Sequence, residues 1–311
     1  MWSGPAIKSK RKEEIVIGLA LSGGANFGAL QAGALEILLE AGFRPQIITG
    51  TSAGALNAVL LASDPTVEGS RKLQDLWKKV GPKEVGKLNV IMSIRRLAAA
   101  EESLLPGEPL AEFLRRSLPK IETFGELEQM AGVRAYTTGV SLEDGELRIF
   151  GDRPEDRLID GCMASSAMAP FLPPWKVDGK RYIDGGVNVK LPILTAIERG
   201  ASQIMALHIT DFKVRLAQKG VLFSIQRSVS LMTRWMVEIE IKMAKQLGVP
   251  VRIISLGVPP GIALWDFSQA DRLIKLGRAV ARKSLEEEPL KIYNPLELLL
   301  YQVGNKLNGK D

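Results

Sequence analysis

An α/β fold with a parallel sheet and crossover helices is predicted by two successive strand–turn–helix units near the N-terminus and by further apolar runs downstream. The first unit is IVIGLAL (residues 15–21), a continuous apolar run of the kind found in strands buried on both faces. It is followed by the glycine-rich turn SGGANFG and by ALQAGALEILLEAG, which reads as a helix closed by Gly42. The second unit is QIIT (46–49), the turn GTSAG and the helix ALNAVLLA. The same order met twice is what a parallel sheet requires, because each strand must cross back through a helix before the next can run beside it.

Further along, KLQDLWKKV and EPLAEFLRRSL have helical spacing. RAYTTGVSLEDGELRIFG predicts a hairpin turning at Asp144-Gly145, and KVDGKRYIDGG a second one turning at Asp178-Gly179, whose last strand ends at Asp184-Gly185-Gly186. PILTAIERG reads as a helix opened by Pro192 and closed by Gly200, QIMALHI as the buried strand after it, and VRIISLG as the last strand. Leu222, Ile225, Val229, Met232, Met236, Ile239 and Met243 recur at alternating steps of three and four, which predicts one long helix over 222–247. Its apolar seam is expected to pack on the core, with a partner-facing or membrane-facing stripe as the alternative. YNPLELLLYQVGNKL is expected to form a last helix whose leucines dock on the domain or mediate a homodimer.

The chain has 311 residues, no internal repeat and no low-complexity linker. One domain is therefore expected at 15–285, with a basic extension at 1–14 and a helical tail at 286–311. The single cysteine, Cys162, excludes an internal disulfide framework and a cysteine-based zinc site, and is expected in the core. No apolar segment follows MWSGPAIKSKRKEE before the first strand, and no run approaches the ~18 apolar residues of a membrane span. A cytoplasmic location is expected, with peripheral contact at the inner membrane surface. The net charge of +6 is spread over lysines and arginines mostly accompanied by acids, which reads as a solvated surface and not as a nucleic-acid site.

Gly50-Thr51-Ser52-Ala53-Gly54 fits Gly-x-Ser-x-Gly, a turn so tight that it admits little beside the serine and holds the hydroxyl out as a nucleophile. A serine hydroxyl needs a base to take its proton, and the oxyanion it generates needs preorganised donors. Gly23-Gly24-Ala25, opening a helix, offers exposed backbone N–H groups for the second task. The loop fails the dinucleotide pattern, since Ala25 stands where a glycine is required, and no Gly-Lys-Ser/Thr follows. For the base there are two candidates. Asp184 ends a strand and is followed by two glycines that leave room for it to approach Ser52. His208, the only histidine, lies inside the apolar run IMALHIT, where a packed strand residue is the ordinary reading; a Ser52-Asp184-His208 triad is the alternative.

Taken together, LSGGANFGALQAGAL, GTSAGALNA, ASSAMAPFLPPWKVDGKRY and YIDGGVNVKLPILTAIERGA resemble, in order, blocks of the patatin-like phospholipase family. The likeness spans roughly residues 15–210. It implies a three-layer α/β/α sandwich and a Ser/Asp dyad that hydrolyses acyl esters of lipids with neither metal nor cofactor. Carried over, Ser52 is the nucleophile, Asp184 the base, and Gly23, Gly24 and Ala25 the oxyanion donors, with Gly28, Gly50, Gly54, Gly185 and Gly186 completing the motifs. Two residues depart from the family pattern: Ala25 replaces a third glycine and Phe27 an arginine or lysine. Ala25 keeps its donor provided its φ is negative. Loss of the basic residue is expected to weaken anion stabilisation or to reshape headgroup recognition, and a lipid-binding protein with decayed catalysis is the alternative this raises.

Overall fold

The computed structural model describes residues 15–86, 89–210 and 220–308; the expected extension at 1–14 lies outside them. Strands β1 (Ile17–Leu21), β2 (Ile47–Gly50), β3 (Arg134–Ser141), β4 (Leu147–Phe150), β5 (Trp175–Val177), β6 (Lys180–Asp184), β7 (Gln203–Thr210) and β8 (Val251–Gly257) form one sheet. Its order is β5-β6-β3-β2-β1-β7-β8, with β4 also paired to β3. The β3-β2-β1-β7-β8 portion is parallel and the β3/β4, β3/β6 and β5/β6 pairs are antiparallel. Both expected hairpins are present, turning at Asp144-Gly145 and Asp178-Gly179.

Helices cover both faces, giving three layers. On one side lie α1 (Gly28–Glu40), α2 (Ala53–Ser63), α3 (Val67–Lys79), α4 (Pro82–Val85), α5 (Val90–Ala98), α6 (Glu108–Ser117), α7 (Phe124–Ala131) and α8 (Leu158–Ser166). On the other lie α9 (Ile193–Glu198) and α10 (Val221–Gln246), while α11 (Ala270–Glu287) returns to the first face against α1 and α12 (Pro295–Asn308) meets the C-terminal end of α10. Strand alternation sorts the side chains: Leu19, Leu21, Met205 and Leu207 join the larger core under α1, whereas Ala20, Ile204 and Ala206 join a smaller core under α9 and α10. Cys162 is fully buried in the larger core, where desolvation pushes its thiol up to about 12.

The long helix forms as expected, but its seam does not pack as expected. Val229 and Met232 are half-exposed or more, Ile239 is exposed, Met236 and Met243 are half-buried, and the buried contacts come from Val237, Glu240 and Ala244; the side chains of Leu222 and Ile225 lie outside the described ones. The reason is geometric. Twenty-six residues make a helix about 39 Å long, and among the described ones its buried residues all fall in the C-terminal half. Over the sheet, the face turned inward carries the small Ala244 and not the methionines.

Glu240 is the exception on that inward face, buried with its carboxylate accepting the Leu194 N–H at 2.7 Å. Desolvation raises its carboxyl from 4.5 to about 7, against the opposing pull of the backbone donors of α9. Between those two values the folded chain holds a proton that the unfolded chain releases, so this group's contribution to stability declines as pH rises from 4.5 to 7 and is flat above. Glu240→Gln is expected to remove that slope. Urea midpoints of the variant and parent should coincide near pH 4 and diverge at pH 8, where the variant is more stable by about 2 kcal/mol; parallel midpoints at both pH values would refute it.

Candidate active site

The turn between β2 and α2 places Ser52 at φ 56° and ψ −126°. A side chain at positive φ costs about 1–3 kcal/mol, so the surroundings must hold it there. The Thr51 N–H donates to the Leu21 carbonyl (3.1 Å), the Ser52 N–H to Ser165 Oγ (2.8 Å) and the Gly54 N–H to the Thr51 carbonyl (2.8 Å). Thr51 Oγ1 donates to the Val189 carbonyl (2.8 Å) and accepts from Thr138 Oγ1 (2.9 Å), tying the turn to the segment after Asp184. The start of α2 runs so close to β1 that a Cβ on Gly54 would lie 2.3 Å from the Leu21 carbonyl oxygen. Both glycines of the motif are needed for space, since a Cβ on Gly50 would lie 2.2 Å from the Gly54 oxygen.

Asp184 reaches the same point from another strand. Gly50 pairs with Thr137 and Asp184 with Gly139, two residues on, so the ends of β2 and β6 converge on β3. Gly185 lets this happen, because a Cβ there would lie 2.1 Å from Thr138 Oγ1. The Asp184 side chain is 5 % exposed. Burial, the dominant influence, raises its carboxyl from 3.8 to about 6; the neighbouring Ser52 hydroxyl and the hydrogen bond from the Gly186 N–H (2.7 Å) pull the other way.

Of the three expected oxyanion donors, two have a free N–H. The Gly23 N–H is taken by the Lys190 carbonyl at 3.0 Å, which removes Gly23 as a donor. The Gly24 and Ala25 N–H groups have no acceptor among the described residues, and Ala25 lines a cavity together with Ser52. The proviso attached to Ala25 is not met: its φ is +46°. The loop is pinned on both sides of it, by Gly23 to Lys190, by the Phe27 N–H to the Gly24 carbonyl (3.0 Å) and by Asn26. Asn26 Nδ2 donates to the carbonyls of Ala263 (3.0 Å) and Asp266 (2.8 Å), fastening the loop that carries Trp265 and Phe267. The chain turns left-handed at Ala25 for a cost of about 1–2 kcal/mol. Phe27 is fully buried in the larger core and faces no part of the cavity, so its side chain stands apart from anion stabilisation.

His208 is not brought to Ser52. It pairs with Ser255 in β7 and lies on the side of the strand that carries Ile204 and Ala206, toward the smaller core, while Ile209 on the other side packs against Gly24. Among the described residues, the groups that act on the Asp184 carboxylate are Ser52 and the Gly186 N–H. Ser165 and Asn26 carry supporting contacts that no spacing rule singles out. A cavity open to solvent lies beside Ser52. Its wall is apolar, with Leu56, Trp77, Phe113, Leu172, Trp265 and Phe267 among the lining residues, and its polar lining side chains are Ser52 and Ser166. Trp265 stacks on Phe171 with ring centroids 5.0 Å apart.

The patatin-like phospholipase family model matches residues 19–197, which include every motif just described. The chain belongs to the patatin-like phospholipase family. Among patatin-like relatives, lysophospholipase NTE1 of Scheffersomyces stipitis is 26% identical over 201 residues, covering 62% of this chain and 12% of the relative. Mouse patatin-like phospholipase domain-containing protein 7 is 27% identical over 194 residues, covering 62% and 13%. The chain thus spans about an eighth of the length of these two relatives. Two solved structures share the fold. VipD from Legionella pneumophila has a TM-score of 0.50 at 16% identity, covering 94% of this chain and 71% of that one. Human GIVD cytosolic phospholipase A2, in complex with methyl gamma-linolenyl fluorophosphonate, has a TM-score of 0.50 at 13% identity, covering 97% and 61%.

Proposed function

We propose that this chain is a serine lipid acyl hydrolase of the phospholipase A, lysophospholipase or carboxylester hydrolase kind, working through Ser52 and Asp184. The observation that carries the reading is the contact of a buried carboxylate with a serine held at positive φ on the rim of an apolar cavity. The Ser52 oxygen attacks the ester carbonyl carbon as its proton passes to Asp184. The developing oxyanion takes hydrogen bonds from the Gly24 and Ala25 N–H groups. Collapse breaks the bond to the alcohol, which leaves with the proton held by Asp184, and the acyl chain stays on Ser52 with its tail in the cavity. Water then attacks the acyl-enzyme, giving its proton to Asp184, and the fatty acid departs as Ser52 recovers its own.

A carboxyl raised to about 6 suits both halves of this cycle: it is ionised about ten to one at pH 7, and is basic enough to hold a proton in transit. Family membership supports the lipid ester as substrate class, and the apolar wall supports an acyl chain as the part enclosed.

A fluorophosphonate probe tests the reading, because it phosphonylates only an activated serine. Peptide mass spectrometry should place the label on Ser52, and the labelling rate should rise with pH through an apparent pKa near 6 and level off above about 7. His208→Ala should label at the parental rate. Loss of labelling in that variant would restore the triad, and absence of labelling in the parent with lipid binding intact would favour the decayed, lipid-binding alternative.

A further inference from the structure

We infer that α5 is a docking helix for an anionic phospholipid bilayer and that it sets the mouth of the cavity against the lipid surface. None of its described side chains is buried, and Ile91, Met92, Ile94 and Leu97 are between 53 and 72 % exposed. Four large apolar residues thus stand exposed on one nine-residue helix. The helix is nonetheless well formed: Asn89 Oδ1 caps it, accepting the N–H groups of Ile91 (2.9 Å) and Met92 (3.2 Å).

Its orientation follows from two half-buried residues. Ser93 and Arg96 turn toward the protein, and Arg96 Nε donates to the Ser103 carbonyl at 2.7 Å. Steps of three and four from Ile91 reach Ile94 and Ala98 on the opposite side, so the apolar side chains point away from the body. Arg95 shares that outward side, where a guanidinium on a flexible stem can reach phosphate while its neighbours enter the acyl region.

Position ties this face to the cavity. Val80 and Val85 before α5, and Leu110 and Phe113 after it, line the cavity wall. Immediately after α5, the Leu104 and Leu105 N–H groups donate to the carbonyls of Pro170 (2.8 Å) and Phe171 (2.9 Å), the segment that leads into the lining residue Leu172. By contrast, among the described residues none of α10 lines the cavity.

Charge selects the occupant. Lys79 and Lys83, on the two helices that precede it, and Arg95 on the helix itself are exposed and have no carboxylate partner among the described residues, whereas Glu84 is used to accept the Gly81 N–H and Glu101 to pair with Arg96. An apolar helix flanked by unpaired cations matches an anionic interface, where acyl region and phosphate layer lie within one helix diameter. The inference deepens the lipid hydrolase reading, and its test does not depend on turnover.

The test is vesicle sedimentation of the Ser52→Ala protein with phosphatidylglycerol or phosphatidylcholine vesicles. Binding to phosphatidylglycerol is expected to exceed that to phosphatidylcholine at least ten-fold and to fall with salt. Ile94→Asp/Leu97→Asp should weaken it at least ten-fold with an unchanged melting curve, since both side chains are exposed. Equal binding by the double variant, or no binding by the parent, would overturn the inference. So would a dimer that the double variant converts to monomer, because the face would then serve a second copy of the chain. Hydrolysis of a soluble short-chain ester by the double variant in the Ser52 background, assayed in parallel, separates loss of docking from failure of the catalytic reading.

Discussion

Asp184→Asn is expected to lower kcat/KM for a short p-nitrophenyl ester by about 10²–10⁴-fold while raising stability, and Ser52→Ala to reduce turnover to background. The rate loss follows because an amide cannot accept the serine proton. The stability gain follows from the same burial that makes the aspartate useful. Its carboxyl ionises at 3.8 when unfolded and at about 6 when folded, so between those values the folded state is the one that holds the proton. That contribution to stability is full below pH 3.8, is lost as pH rises to about 6, and stays lost above. At pH 8 the neutral Asp184→Asn variant should therefore be more stable by about 2–3 kcal/mol, and at pH 4 nearly unchanged. Chemical denaturation at the two pH values, together with ester kinetics at pH 8, decides the matter. An inactive variant that is also less stable at pH 8 would mean that the carboxylate serves the fold and not the reaction.

Gly54→Ala should be among the most damaging single methyl additions to this chain. The new Cβ would lie 2.3 Å from the Leu21 oxygen and 2.8 Å from that of Ser22, both backbone atoms of β1 and its exit, so neither can swing aside as a side chain would. Either α2 withdraws from the sheet or the turn at Ser52 relaxes toward ordinary φ. Destabilisation of about 2–4 kcal/mol is expected, with loss of fluorophosphonate labelling even in the fraction that remains folded. A variant that keeps parental stability and labelling would show that the turn is looser than its contacts imply. Ser52→Gly is the companion measurement: glycine accepts φ 56° at little cost, so it should be at least as stable as Ser52→Ala.

The local units of this fold were legible because each is written in its own residues. IVIGLAL and QIIT are apolar enough to be strands buried on both faces, and the turns after them are small enough to start helices. What joins Ser52 to Asp184 is not local. It is a register, Gly50 against Thr137 and Asp184 against Gly139, and no periodicity in either segment encodes it; the family resemblance supplied the pairing. Ala25 shows the same limit at smaller scale. Its positive φ is imposed by Lys190, Ala263 and Asp266, which lie far away in sequence. On α10 the spacing revealed an apolar stripe but not which way it faces, since the buried contacts come from Val237, Glu240 and Ala244, none of which belongs to that stripe. Helix α8 was illegible for a different reason: LIDGCMASS is buried nearly all round and has no polar face to set a period.

The two hydrogen bonds from Asn26 join the aromatic wall of the cavity and the Gly23-Gly24-Ala25 loop into a single mechanical part, which under the proposed function would couple the acyl-chain wall to the oxyanion donors. Chain-length preference and rate are then not separate dials. A substitution at Trp265 or Phe267 meant only to admit a bulkier tail would be felt through Asn26 at Ala25, and selection for a new substrate would have to retune both at once.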